Sequence, residues 1–211
     1  MSLKQKVIAI DGPSASGKGT VASRVAEALG FLYLDSGALY RLTALYAQKQ
    51  NIAWTDEDAV STLAETLPAQ FEGSAVLLNG EDVSEQIRTE AIGMGASAVA
   101  QLPKVRTALL QRQRDFLTEK GLVADGRDIG SVIFPDAALK IFLTASANVR
   151  AQRRAKQLGI PCEGVAFERI LSDIEARDEA DRRRPVAPLK QLPDALLLDT
   201  DKLSIEEAVK K

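Results

Sequence analysis

The sequence contains no histidine, and Cys162 is its single cysteine among 211 residues. Without imidazole there is no Ser-His triad, no histidine-ligated metal and no imidazole proton shuttle. One cysteine excludes an internal disulfide and a cysteine-rich zinc site, and it suits a reducing cytoplasm, the expected location. No uninterrupted apolar run is long enough to cross a bilayer, and Met1-Ser2-Leu3-Lys4-Gln5-Lys6 lacks a hydrophobic leader core. Neither membrane association nor secretion is therefore expected. Basic excess is also missing: a net charge of −2 argues against a nucleic-acid-coating protein. What is left for chemistry is carboxylates, lysine, arginine, hydroxyls and bound metal. Phosphoryl transfer needs only that set, because it depends on positioning and charge neutralisation.

The richest stretch is Val7-Ile-Ala-Ile-Asp11-Gly12-Pro13-Ser14-Ala15-Ser16-Gly17-Lys18-Gly19-Thr20. An apolar run ends at Asp11, a loop of small residues follows, and an amphipathic segment begins. This is the order of strand, glycine-rich loop and helix that holds nucleoside triphosphate phosphates. Such a loop turns backbone N–H groups toward phosphate, the helix start adds unpaired N–H groups, and Lys18 adds a mobile charge. Gly12 to Thr20 are accordingly the expected ATP contacts. A plain strand-to-helix turn is the alternative reading of so short a pattern. Lys18 is followed by Gly19, so the hydroxyl expected near a metal arrives one place late, at Thr20.

The length suits one α/β domain with room for insertions. Apolar runs at Val7–Ile10, Phe31–Leu34, Leu122–Ala124, Leu139–Leu143 and Ala195–Leu198 are consecutive rather than alternating, as strands buried on both faces require. Helical spacing lies between them. Val21, Val25, Ala28 and Leu29 mark a first helix closed by Gly30. Leu39, Leu42, Leu45 and Tyr46 mark a second, and Pro103 opens a third carrying Val105, Leu109, Leu110 and Phe116. Ser204 and Glu207 form a capping box for a short last helix. The expected fold is α/β: a doubly wound, five-stranded parallel sheet of the P-loop NTPase type, with helices on both faces. Asn79-Gly80 between apolar stretches predicts a small antiparallel insert over residues 68–89.

Residues 150–184 hold eight arginines: Arg150, Arg153, Arg154, Arg169, Arg177, Arg182, Arg183 and Arg184. Gly159 and Pro161 divide them into two helical pieces. They read either as solvated helices with pairs such as Arg177 and Asp181, or as a mobile lid that brings guanidinium groups over a transferring phosphoryl. Three adjacent like charges before Pro185 favour the lid. Asp125-Gly126-Arg127-Asp128 follows a strand, where charged groups face the ligand crevice. Asp125 is placed to help hold Mg2+ through water, with Thr20; capping by Asp128 is the plainer reading of that residue. Asp35 or Ser36 caps the helix that carries Arg41. A cation in its first turns opposes the dipole and suggests an anionic ligand.

Together these motifs resemble the bacterial cytidylate kinase family, nucleoside monophosphate kinases acting on CMP and dCMP. The resemblance rests on residues 10–20, on Leu34-Asp-Ser-Gly-Ala-Leu-Tyr-Arg41, and on Asn79-Gly-Glu-Asp-Val-Ser84 with Ile87-Arg88. Further matches are Pro103-Lys-Val-Arg106, Asp125-Gly-Arg-Asp-Ile-Gly130 with Val132-Ile-Phe-Pro135, and Arg177-Asp178 through Asp181, Arg184 and Ala187-Pro-Leu189. It implies one kinase domain over residues 1–211, with a core (1–67, 90–150, 185–211), a monophosphate-binding insert near 68–89 and a lid near 150–184. It also implies transfer from ATP, with Mg2+, to CMP or dCMP by a monomer. Ser36, Arg41, Arg127 and Arg184 become contacts to the CMP phosphate, and Ser97, Arg106 and Asp128 readers of cytosine. Asp181, oriented by Arg177, becomes a ribose contact. Lys18, Arg127, Arg184 and Arg154 form the expected catalytic set. The Gly19-Thr20 shift is typical of monophosphate kinases, whereas Gly93 and Gly95, in a predicted helix leading to Ser97, depart from the pattern.

Other small-acceptor kinases, for UMP, AMP or shikimate, are the nearest rivals; the insert and the Arg106/Asp128 pair argue against the AMP and shikimate readings. A GTPase-type switch would need an Asn-Lys-x-Asp segment, which Asn51, Asn79 and Asn148 do not supply.

Overall fold

A computed structural model of the chain describes residues 6–72 and 75–211. Met1–Gln5, in the leader reading, and Gly73 and Ser74 of the expected insert lie outside them. The chain forms two compact units: the part up to Leu34 together with Phe116–Lys211, and Asp35–Asp115.

The first unit is built on a five-stranded sheet. Its strands are β1 (Val7–Asp11), β2 (Leu32–Asp35), β6 (Leu122–Gly126), β7 (Leu139–Thr144) and β8 (Leu196–Asp199), in the order β2-β6-β1-β7-β8. β1 pairs in parallel with β6 and β7, and β7 with β8. The central strands are apolar at successive positions because both faces are covered: Val7, Ala9, Ile10 and Leu122–Ala124 are all buried. The register sets Asp11 opposite Gly126 and Ile10 opposite Asp125, so polar residues collect at one sheet edge, at the carboxyl ends of the strands. Helix α1 (Lys18–Leu29) packs Val21, Ala22 and Ala26 on Ile10, Val123 and Leu143, and Ala208 of α8 (Ile205–Lys210) joins the same core. Gly30 (φ 65) ends α1 in the left-handed conformation, its N–H returning to the Ala26 and Glu27 carbonyls. The capping box expected at Ser204 and Glu207 is present.

Two further helices complete this unit. α6 (Ala147–Leu158) is stopped by Gly159, and α7 (Gly164–Arg183) runs to the residue before Arg184-Pro185. Ala151 and Ala155 of α6 pack against Phe167 and Ile174 of α7.

The second unit is mostly helical. α2 (Ser36–Lys49) packs on α4 (Glu90–Val99), and α3 (Glu57–Glu65) on α5 (Pro103–Arg114). Leu39, Leu42 and Leu45 form the buried stripe of α2 that their spacing predicts. α5 stops at Arg114, so Phe116 lies beyond the helix expected to carry it. Three short strands, β3 (Ala69–Glu72), β4 (Ala75–Leu78) and β5 (Glu81–Asp82), form a separate antiparallel sheet in that order. Asn79 and Gly80 join β4 to β5 with φ 52 and 78, the pair of positive values that a two-residue hairpin of this hand demands.

Candidate active site

The loop between β1 and α1 is held from several sides. Gly12 passes so close to β7 that a Cβ there would lie 2.0 Å from the Leu143 carbonyl oxygen. Only glycine fits. Ala15 has a positive φ of 56 and Gly17 one of 88, an alternation that turns successive N–H groups to a common side. Lys18 opens α1, buried, with its Nζ donating to the Pro13 carbonyl at 3.3 Å. Ser16 is buried, and its hydroxyl has no hydrogen-bond partner among the described residues. Thr20 is exposed on α1.

Three carboxylates stand at the strand ends beside this loop. Asp125 accepts from the Tyr33 hydroxyl at 2.7 Å, and its other oxygen lies 3.9 Å from Lys18 Nζ. A Cβ at position 19 would come within 3.3 Å of the Tyr33 hydroxyl and 3.7 Å of the Asp125 carboxylate. Glycine after Lys18 thus leaves room around that carboxylate. Magnesium takes one or two protein carboxylates and completes its shell with water and phosphate oxygens; a buried acid beside the phosphate loop and its lysine fits that donor set. Asp11 accepts from the N–H groups of Ile129 and Gly130, each at 2.9 Å. Burial pushes its carboxyl up to about 6, against the pull of those N–H groups, while Asp128 adds to the rise. Asp128 is also buried and precedes a single π turn, Ile129–Ile133, without capping it through its side chain.

Arg127 and the end of α7 form a second charged group in the same unit. Arg127 Nε donates to Asp181 at 2.7 Å, and Arg184 Nε donates to the Asp181 carbonyl at 3.4 Å. Burial raises Asp181, but Arg127 and then Arg184 outweigh it, and its pKa lies below the ordinary carboxylate range. Burial likewise lowers Arg127, yet Asp181, Asp125 and Asp11 raise it overall. The expected pairing of Asp181 with Arg177 concerns the same helix, α7; the short bond described for the carboxylate comes from Arg127. Arg154 lies on α6 with Arg150 and Arg153.

The remaining expected residues belong to the second unit. Asp35 rather than Ser36 caps α2, accepting from Ala38 N–H at 3.0 Å. Ser36 donates to Gln113 at 2.6 Å, both buried. Arg41 donates to the Ile87 carbonyl at 2.7 Å, at the end of a 3-10 turn, Gln86–Arg88. Carbonyl charge there offsets the mismatch between Arg41 and its own helix dipole. Arg106 is buried with its guanidinium 5.6 Å from the Tyr40 ring centre and its Nη1 on the Ala100 carbonyl. Ser97 is half-buried on α4. A Cβ at Gly95 would sit 2.5 Å from the Trp54 ring, so a glycine in this helix serves packing.

Sequence reasoning did not single out Asp11, Tyr33 or Gln113. Asp11 alone carried a signal, as the acid that ends the first strand.

Comparison with known proteins gives a consistent family. Residues 8–211 match the family described as cytidylate kinase. The chain is 80% identical over 208 residues to a cytidylate kinase of Neisseria meningitidis serogroup C, covering 99% of this chain and 95% of that one. It is 78% identical over 208 residues to one of Neisseria gonorrhoeae, with the same coverage. A Chromobacterium violaceum cytidylate kinase is 61% identical over 205 residues, covering 97% of this chain and 92% of its own length. With a phosphate loop, a strand-end acid beside its lysine and matches over nearly the whole length, the chain belongs to the cytidylate kinase family.

Proposed function

We propose that this protein transfers the γ-phosphoryl group of ATP to CMP or dCMP, giving CDP or dCDP. The observation that carries the reaction class is the approach of Lys18 to Asp125 at the phosphate loop, 3.9 Å apart and both buried. That pairing suits an ammonium for phosphate oxygens and a carboxylate for the magnesium that travels with them. Membership of the cytidylate kinase family supports the acceptor.

The Gly12–Thr20 loop binds the donor phosphates through the N–H groups of its residues after Pro13, and the buried Ser16 hydroxyl donates to them. Asp125, steadied by Tyr33, would hold Mg2+ through water, and such an ion would supply neutralising charge for the phosphates. Within one unit, Arg127 and Arg184 bind the CMP phosphate, Asp181 a ribose hydroxyl and Asp128 the cytosine amino group. Within the other, Ser36 and Arg41 serve the phosphate, and Ser97 and Arg106 the base acceptors. A carboxylate facing the base amino group rejects uracil, whose carbonyl there would meet an anion. CMP phosphate is largely dianionic at neutral pH, since its second pKa is about 6. No strong base is needed, and a chain without histidine suffices. Arg154 on the expected lid adds positive charge over the transferred group, and lid closure excludes water.

An ADP-release assay over CMP, dCMP, UMP, AMP and shikimate tests this reading. CMP and dCMP are expected to give the highest kcat/KM; faster turnover of AMP or shikimate overturns it. The monomer and the cytoplasmic location stay proposals of the same kind. Among the described residues no helix is long and apolar enough to cross a membrane.

A further inference from the structure

Arg150 sits near the start of α6, in the segment expected to act as a lid, yet it is committed elsewhere. Both Arg150 and Asp178 are 3% exposed. Nε of Arg150 donates to the Ala145 carbonyl at 2.9 Å, and Nη1 donates to the Ser14 carbonyl and to Asp178, each at 3.0 Å. Nη2 donates to the second Asp178 oxygen, completing a two-pronged pair between α6 and α7. One turn further on, Arg153 Nη1 donates to the Ser16 carbonyl at 3.2 Å and to Thr200 Oγ1 at 3.1 Å. Two guanidinium groups therefore fix two carbonyls of the phosphate loop.

In a trans peptide the C=O of one residue and the N–H of the next point in opposite directions. Anchoring the Ser14 and Ser16 carbonyls on α6 thus sets where the Ala15 and Gly17 N–H groups point. The loop needs such anchoring, because Ala15 is a non-glycine residue at φ 56, a conformation that persists only when its surroundings enforce it. Ala15 also packs on the α6–α7 cluster of Ala151, Ala155, Phe167 and Ile174.

We propose that Asp178 is a positioning residue for the ATP half of the reaction: it locks Arg150, which with Arg153 holds the phosphate loop in its anion-binding shape. Arg150 and Arg153 serve the loop backbone and not the transferred phosphoryl. Asp178 and Asp181 lie three residues apart on α7, so one helix pins the loop through Asp178 and Arg127 through Asp181. This inference rests on the ATP:CMP kinase reading.

The test measures steady-state kinetics of Asp178→Asn and Arg150→Lys, titrating MgATP at saturating CMP and CMP at saturating MgATP. Displacing reacting groups by about 1 Å costs roughly 100-fold, and partial loosening of the loop less. The expected result is a KM for ATP raised by about tenfold or more, with the KM for CMP within about twofold of wild type. Lysine is not expected to restore Arg150, since one ammonium cannot span Ala145, Ser14 and both Asp178 oxygens. A folded Asp178→Asn enzyme whose KM for ATP is unchanged overturns the proposal, as does a rise confined to CMP. If Asp178→Asn shows no cooperative melt, Arg153→Gln, at a half-buried site, is measured for the same split, and an unchanged KM for ATP there overturns it equally. Wild-type protein runs alongside: without CMP-dependent ADP release from it, the kinase reading fails, and not the role of Asp178.

Discussion

Replacing Gly12 by alanine is the sharpest perturbation available to the phosphate loop. The new Cβ would lie 2.0 Å from the Leu143 carbonyl oxygen, and real Cβ contacts essentially never fall below 3.0 Å. Leu143 belongs to β7, hydrogen-bonded in the sheet between β1 and β8, so it cannot yield as a side-chain tip would. The loop itself must move by about 1 Å, the gap between those two distances. A misplacement of about 1 Å in a site built on positioning costs roughly 100-fold in rate, which corresponds to about 2.7 kcal/mol of transition-state stabilisation. The assay is ADP release at saturating CMP with MgATP varied, on protein whose far-ultraviolet circular dichroism matches wild type. A kcat/KM for ATP close to that of wild type would refute the reasoning, because the loop would then tolerate a displacement that phosphate binding by its backbone forbids.

Three further outcomes are expected. Gly95→Ala forces the ring of Trp54, the sole tryptophan, from its place and from its 2.9 Å bond to the Ala44 carbonyl; overpacking of this kind costs roughly 1–3 kcal/mol. Thermal melts followed by tryptophan emission check it, and an unchanged midpoint and spectrum would count against the packing. Tyr33→Phe removes the 2.7 Å bond to Asp125, and loss of such support for the carboxylate proposed to hold Mg2+ raises the Mg2+ needed for half-maximal activity by about tenfold or more; a magnesium titration of activity that superimposes on wild type contradicts the proposal. Asp11 carries a carboxyl raised from 3.8 to about 6, so between those values the folded state keeps a proton that the unfolded state has lost. Its contribution to stability is therefore full below about pH 4 and falls as pH rises toward 6, by on the order of 3 kcal/mol. Urea melts of wild type and Asp11→Asn across this window should differ in slope, and parallel pH profiles would remove Asp11 as the cause.

Much of the fold was legible because its central strands are buried on both faces, whereas β8, expected to be buried likewise, leaves Leu196 and Leu197 exposed. Val7–Ile10 and Leu122–Ala124 stand out as apolar runs for that reason alone, and both are found at the sheet centre. Asn79-Gly80 was legible as a hairpin because few residue pairs tolerate two successive positive φ values. Helix α3 was not: its buried face is Val60, Ser61 and Ala64, too small and too polar to print an apolar period, and its best signal is the Asp56 cap on Ala59 N–H. At the site, residue types were legible and partnerships were not. Asp125 could be placed at a strand end, but its Tyr33 partner is 92 positions away in sequence. Asp11 meets the Ile129 N–H across 118 positions, and only the parallel pairing of β1 with β6 brings the two segments together. The arginines of residues 150–184 were legible as a cluster of charge. That Arg150 and Arg153 hold loop carbonyls depends on how α6 meets the β1–α1 loop, which no spacing encodes.

The central claim is that the phosphate loop is the donor half of a two-nucleotide reaction. Its most direct test is a product balance: purified protein is incubated with MgATP and CMP, and nucleotides are resolved by chromatography. The account predicts ADP and CDP in equal amounts, both lost in Lys18→Ala. ADP formed without CDP, or CDP formation that survives loss of Lys18, would contradict it.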